Sequence, residues 1–182
     1  MKNHFAKSVA VILISFFLAT VCAAQQQTTC ELESKTAPIL LNLRLGMSPE
    51  QARSVFGRDL KVKVKKRGER TFFQNYIKKP APASLKSVRA LYLRFFDGGL
   101  YQIEIFYEAK SDLKTLTSVT DLLSAQLNLP VAEWKLENNQ ARIICGDESL
   151  VADNILNPRV ELTKETIRAE VEQLRKGDKE KK

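Results

Sequence analysis

The stretch that most constrains the fold is Val88–Tyr107, which reads VRALYLRFFDGGLYQIEIFY. Two runs rich in aromatic and aliphatic residues flank the turn sequence Asp97-Gly98-Gly99, a pattern typical of a β-hairpin. A three-residue loop gives the hairpin one wholly apolar face, with these cross-strand pairs: Leu91 with Ile105, Leu93 with Ile103, and Phe95 with Tyr101. We therefore predict a type I turn closed by Gly99 in the left-handed backbone region.

The opposite face of this hairpin is a candidate binding surface. It interleaves aromatic and charged side chains, and five of them are the predicted binding residues: Tyr92, Arg94, Phe96, Glu104 and Phe106. Aromatic residues and arginine commonly anchor interfaces, while polar groups set the orientation of the partner. The alternative is that a C-terminal helix covers this face with an apolar stripe formed by Ile167, Val171 and Leu174.

The chain begins with a segment, residues 1–24, that is typical of a secretory signal peptide. A basic start precedes the apolar run Val9–Leu18, and small residues follow at Cys22-Ala23-Ala24. This order predicts cleavage before Gln25, and the run is short for a membrane-spanning helix. A lipid anchor at Cys22 is the alternative, but Val21 is bulkier than such a site accepts. We therefore expect an exported protein, periplasmic or extracellular, with no transmembrane span in the mature chain.

Export and the cysteine count together predict a disulfide bond. Removal of the signal peptide takes away Cys22 and His4, the only histidine, and leaves Cys30 and Cys145. A pair of cysteines in an exported chain is typical of a disulfide, because the compartment is oxidising. The alternative for Cys145 is a small buried hydrophobic residue.

The loss of His4 also removes the usual catalytic arrangements. A chain without histidine cannot form a Ser-His-Asp or Cys-His arrangement or a histidine-containing zinc site. We predict no catalytic residue, no cofactor and no metal site. The loop carboxylates Asp147, Glu148 and Asp153 leave one enzyme hypothesis, a hydrolase that works through carboxylates alone.

The chain has a formal net charge of +8, and its basic excess is local, with clusters at Lys61–Arg67 and Arg175–Lys182. In the first cluster, lysines alternate with Val62 and Val64, which is typical of an edge strand. We therefore expect no nucleic-acid partner, and only weak attraction to an anionic envelope surface.

The remaining patterns predict one α+β domain over residues 38–175, between a loosely ordered lead-in, 25–37, and a charged disordered tail, 176–182. Its fold is predicted to be an antiparallel sheet built on the central hairpin, with helices packed on one face. The other predicted strands are Ile39–Leu45, Leu60–Lys66, Arg70–Ile77, Ala132–Glu137, Gln140–Cys145, Leu150-Val151 and Arg159–Leu162. Three helices are predicted to begin after the N-cap residues Ser48, Ser111 and Thr163, and Gln51 is predicted to close a capping box with Ser48. The second helix is predicted to bury an apolar stripe: Leu116, Val119, Leu123 and Leu127. The strands Ala132–Glu137 and Gln140–Cys145 are predicted to form a hairpin with its turn at Asn138-Asn139.

Two short motifs resemble a known family. Gly46-Met47-Ser48-Pro49-Glu50-Gln51 resembles the opening of SmpA/OmlA (BamE-like) domains, and Phe95–Leu100 is similar to the Phe-x-[Asp/Asn]-Gly-x-Leu hairpin that follows there. The similarity extends to the related domains of β-lactamase inhibitor protein and to uncharacterised exported bacterial proteins with the same opening. It implies a small helical element that leads into an antiparallel sheet. It transfers no functional residue, because the residues that the family shares are structural.

The sequence thus predicts an exported, non-catalytic binding or scaffold domain that engages a protein or a cell-envelope component. The alternatives are a secreted hydrolase using carboxylates only and an inhibitor of an extracellular enzyme, which the resemblance allows.

Overall fold

The chain forms an eight-stranded antiparallel sheet in the computed structural model, which describes residues 32, 37–56, 65–67, 70–77, 85–109, 112–130 and 133–180. Across the sheet the strands are β1 (Lys65–Arg67), β2 (Arg70–Tyr76), β3 (Val88–Phe96), β4 (Gly99–Tyr107), β8 (Arg159–Lys164), β7 (Glu148–Asp153), β6 (Gln140–Cys145) and β5 (Lys135–Glu137). The helices are a short 3₁₀ helix (Pro38–Leu40), α1 (Pro49–Phe56), α2 (Leu116–Leu127) and α3 (Glu165–Glu180). All neighbouring strands are antiparallel, so the predicted α+β class with an antiparallel sheet is confirmed. The predicted signal peptide, Cys30 and residues 61–64 of the basic cluster lie outside the described residues.

The β3–β4 hairpin has the predicted register along most of its length but not at its turn. Four pairs match the prediction: Leu91 with Ile105, Tyr92 with Glu104, Leu93 with Ile103, and Arg94 with Gln102. At the turn, however, Phe96 pairs with Gly99, so the loop has two residues and the predicted three-residue loop is wrong. Asp97 and Gly98 have φ values of 45° and 73°, which identify a type I′ turn, whose twist matches that of the strands. The predicted left-handed conformation of Gly99 is also wrong, since the turn already ends at Gly98.

A β-bulge in β4 makes the two-residue turn compatible with the strand register along the rest of the hairpin. The register shifts between Arg94 and Phe95, and Phe95 pairs with Leu100, which leaves Tyr101 as the extra residue of β4. Leu100 therefore packs in the core, whereas Tyr101, which was predicted to face Phe95 there, is buried outside the main core. Alternation in the sequence does not reveal this bulge, because Leu100 and Tyr101 are adjacent and either could continue the apolar face opposite Phe95.

The segment before α1 is not the predicted strand. Residues 38–40 form the 3₁₀ helix, and Leu41 and Asn42 follow in the left-handed region, so the predicted strand Ile39–Leu45 is wrong. The apolar residues of this segment are buried nonetheless, and the Tyr107 hydroxyl donates a hydrogen bond to the Ile39 carbonyl. Burial raises the pKa of Tyr107 far above its ordinary value, so this phenol stays protonated and acts as a structural donor.

The predicted capping box at the start of α1 is confirmed. The Ser48 N–H donates to Gln51 Oε1 (2.8 Å), and the Gln51 N–H donates to Ser48 Oγ (3.2 Å). Just before it, Gly46 N–H donates to the Leu100 carbonyl, and Leu100 N–H donates to the Met47 carbonyl, both at 2.8 Å. The two motifs that carry the family resemblance are therefore hydrogen-bonded to each other.

Helix α2 covers the core side of the sheet. Its predicted apolar stripe is buried at Val119, Leu123 and Leu127. The helix begins later than predicted, at Leu116, because Thr115 is the N-cap and its hydroxyl accepts from the Ser118 N–H at 3.0 Å. Ser111, the predicted cap, lies outside the described residues.

The C-terminal half forms three further hairpins, β5–β6, β6–β7 and β7–β8, and the last helix. Asn138 and Asn139 both have positive φ in the turn between β5 and β6, as predicted for this pair. Thr163 is a residue of β8 and not the predicted helix cap, since α3 begins at Glu165. Helix α3 runs to Glu180 and so includes residues 176–180 of the segment predicted as a tail. No helix in the described part of the chain is long and apolar enough to cross a membrane.

Candidate functional site

The five predicted binding residues lie together on the sheet face opposite the main core, which we call the second face. Their neighbours on β3 and β4 belong to the core, and side chains alternate between faces along a strand. Glu104 is buried, and Tyr92, Arg94, Phe96 and Phe106 are half-buried. The rings of Tyr92 and Phe106 meet edge to face with centroids 5.6 Å apart, a favourable arrangement of aromatic pairs.

A hydrogen-bonded polar network occupies the middle of the second face. Arg94 Nη1 donates to Gln102 Oε1, and Gln102 Nε2 donates to Glu161 Oε1 at 2.8 Å. The same Arg94 nitrogen lies 3.4 Å from Glu104 Oε2. Arg94 and Glu104, two predicted binding residues, are therefore held by each other and by their neighbours, which fixes their side-chain positions.

Arg159 connects this network to Asp153 at the end of β7. Its Nη1 donates to Glu104 Oε1 (2.8 Å) and to Glu161 Oε2 (3.2 Å), while its Nε donates to Asp153 Oδ2 (2.6 Å). Burial acts to lower the pKa of Arg159, but the hydrogen bonds with Glu104 and Asp153 outweigh it and raise that pKa. Arg159 is thus a permanent cation that is paired with three carboxylates.

A groove of about 440 Å³ opens on the second face beside this network. Its lining is mainly apolar, with these residues: Ala90, Tyr92, Phe106, Ile155 and Leu156. Five polar residues complete the described lining: Arg89, Gln140, Asp153, Asn157 and Arg159. One wall is the β7–β8 loop, in which Ile155 and Leu156 are 61% and 87% exposed. These two adjacent side chains give the wall of the groove an exposed apolar surface.

The floor of the groove is a single row of side chains that crosses five strands. Successive members are cross-strand partners, from β3 to β6: Ala90, Phe106, Arg159, Asp153 and Gln140. Strands are about 4.8 Å apart, so the row is about 19 Å long. The lining of the groove therefore runs across the strands.

A second bulge in the hairpin shapes one end of the groove. The β3–β4 register shifts between Val88 and Ala90, with Val88 paired to Tyr107 and Ala90 to Phe106. Arg89 is the extra residue, and it lines the groove with an exposed side chain. Because bulges redirect side chains, Arg89 lies at the groove although both Val88 and Leu91 pack in the core.

Helix α3 contacts the opposite end of the second face. Glu165 Oε1 accepts hydrogen bonds from the Ser149 hydroxyl and from Arg142 Nη2, and α3 contacts β4 and β8. Val171 is 1% exposed, whereas Leu174 is 45% exposed. The alternative in which this helix covers the face therefore holds for Val171 near the hairpin turn, while no described residue of α3 lines the groove.

The three loop carboxylates do not form a common site in the described structure. Asp147 accepts hydrogen bonds from the Thr166 N–H and hydroxyl at the start of α3. Glu148 and Asp153 are the two ends of β7, about 17 Å apart, and Asp153 is paired with Arg159. No group of three potential metal ligands occurs among the described residues.

Sequence reasoning missed Arg89, Arg159 and the loop residues Ile155 and Leu156. The only signal for the loop is an apolar pair between Asn154 and Asn157 in an otherwise polar connection. No family model, curated protein or solved structure matches this chain, and the resemblance to SmpA/OmlA domains therefore stays a prediction from sequence.

Proposed function

We propose that this protein is an exported, non-catalytic binding domain that holds the apolar part of a cell-envelope component in the second-face groove. The observation that carries the proposal is the groove itself, with Tyr92 and Phe106 in its lining and the exposed Ile155 and Leu156 in its wall. A volume of about 440 Å³ falls within the range of ligand pockets, about 300–1,000 Å³, and mainly apolar lining with a few polar groups is typical of them.

The polar network supports a binding role because it makes the groove rigid. Arg159, Asp153 and Glu104 satisfy one another within hydrogen-bond distance, so the floor needs no ligand to be stable. In this proposal the β3–β4 hairpin is the central element of the sheet. One of its faces contributes side chains to the core, and the other contributes side chains to the groove. A preformed site avoids the entropic cost of ordering on binding.

A carboxylate hydrolase receives less support from the same geometry. Glycosidases that use two carboxylates need both to flank one bond of the substrate. Among the described residues that line the groove, Asp153 is the one carboxylate, and Arg159 Nε binds it at 2.6 Å. We therefore propose binding and not hydrolysis.

The experiment compares the double variant Tyr92→Ala/Phe106→Ala with the wild type for binding of the neutral apolar dye Nile red. We expect the variant to lose most of the dye fluorescence, while its free energy of unfolding falls by less per ring than for a fully buried phenylalanine, because both rings are half-buried. Phe95→Ala is the matched control, since Phe95 is 1% exposed in the core and its truncation should cost about 3–5 kcal/mol.

Two outcomes would refute the proposal. Dye binding that is unchanged in the double variant would place the apolar site elsewhere. A loss of stability per ring as large as that of Phe95→Ala would mean that Tyr92 and Phe106 are core residues and not the lining of an open site.

A further inference from the structure

We infer that the ligand of the groove is a single-chain anionic amphiphile, such as a fatty-acid carboxylate, whose charged end lies beside Arg89. This inference rests on the proposed function and adds the chemical class of the ligand. It depends on three features of the groove: its shape, the pairing of its floor charges, and the position of Arg89.

The shape favours one extended chain. All five residues of the floor row line the groove, so its volume of about 440 Å³ extends over about 19 Å. A lining that extends this far across the strands suits an extended chain better than a compact ring system.

The pairing of the floor charges favours a hydrocarbon over a peptide as the body of the ligand. A peptide presents an N–H and a carbonyl at each residue, and these groups need partners when they are buried. The two ionic groups of the floor, Arg159 and Asp153, already bind each other at 2.6 Å. A hydrocarbon chain needs no such partners and gains from contact with Phe106 and the loop side chains Ile155 and Leu156.

Arg89 selects the charge of the ligand. Of the two arginines that line the groove, Arg159 contacts three carboxylates, whereas Arg89 forms no ion pair with another described residue. Arg89 is therefore the one unpaired cation among the described residues that line the groove, and the bulge of β3 brings it there. A carboxylate at the end of the chain would complement this guanidinium.

The test is calorimetric titration of the protein with three twelve-carbon probes: laurate and dodecyltrimethylammonium, each below its micelle concentration, and lauryl alcohol below its solubility limit. We expect laurate to bind most tightly and the cationic probe most weakly. Arg89→Gln should weaken laurate binding by about fivefold, the upper value for an exposed ion pair, and leave the affinity for lauryl alcohol unchanged. Arg53→Gln is the matched control, since Arg53 is an exposed arginine on α1 and does not line the groove.

The outcomes separate this inference from the proposed function. Equal affinity for all three probes, lost in Tyr92→Ala/Phe106→Ala, would overturn the anionic class and leave the binding groove in place. Absence of binding by every probe would overturn both. Binding to phosphatidylglycerol vesicles that survives the double variant but is lost in Leu156→Asp would overturn the inference in favour of a membrane-surface contact by the β7–β8 loop.

Discussion

Replacement of Gly98 by alanine should destabilise the protein, whereas the same replacement of Gly99 should not. Gly98 has a φ of 73° in the hairpin turn, and a left-handed conformation costs an L-residue about 1–2 kcal/mol. A Cβ added at Gly98 would meet no atom within 4 Å, so the loss is a backbone effect alone. For a domain of this size the melting temperature should fall by about 2–8 °C.

Gly99 provides the matched control in the same turn. It is the first residue of β4, and a Cβ there would lie 3.7 Å from the Phe96 carbonyl oxygen, an ordinary contact. Gly99→Ala should therefore be neutral or stabilise by up to about 1 kcal/mol, because alanine has less backbone freedom in the unfolded chain. Urea unfolding of both variants beside the wild type measures the difference. A greater loss for Gly99→Ala than for Gly98→Ala would show that the loop has three residues and that the register beyond it differs.

Two other predictions concern Asp147 and the predicted disulfide bond. The hydrogen bond from the Thr166 hydroxyl is the main reason that the pKa of Asp147 lies below its usual value. The ionised Asp147 therefore stabilises the folded protein fully above the ordinary aspartate pKa of about 3.9. This stabilisation is lost as the pH falls through the lowered pKa. Urea unfolding should therefore show a stability deficit of Asp147→Asn at pH 7 that shrinks towards pH 3, and a deficit that is independent of pH would contradict this role. The predicted disulfide between Cys30 and Cys145 would stabilise the mature protein by up to about 4.7 kcal/mol, as for a closed loop of about 100 residues. Thiol titration of the denatured, unreduced protein should find no reactive thiol, and two reactive thiols would rule out the bond.

Local sequence patterns predicted the elements whose determinants are close in the chain. The capping box of Ser48 and Gln51, the turn at Asn138-Asn139 and the buried stripe of α2 each depend on residues that are near neighbours. Such features are decided by backbone preference and periodicity, which the sequence displays directly.

The missed features depend on partners that are distant in the chain. A two-residue loop requires one bulge at Tyr101, whereas a three-residue loop requires none. Apolar and polar residues alternate in the same way along the rest of β3 and β4 in both cases. Likewise, the segment at Ile39 is apolar enough for a strand, but it is held as a 3₁₀ helix by Tyr107 and by Gln126, whose Oε1 accepts from the Ile39 N–H at 2.8 Å. Tertiary contacts override local propensity in both places.

The groove was only partly predictable for the same reason. Tyr92 and Phe106 could be assigned to one face from the hairpin alone. The rest of the floor comes from β8, β7 and β6, whose order in the sheet no pattern in the sequence specifies. Arg89 would be assigned to the core side by strict alternation, and only the bulge of β3 brings it to the groove.

The most direct test of the groove as a ligand site is a backbone amide chemical-shift titration of the ¹⁵N-labelled mature protein with laurate. If laurate binds in the groove, we expect saturable chemical-shift changes at Tyr92, Phe106 and the β7–β8 loop residues Ile155–Asn157. The change at Arg89 should be among the largest. The amides of α2, which packs on the core side, should not move. Shifts that are confined to other surfaces, or that remain unsaturated and spread over the whole chain, would contradict a binding site in this groove.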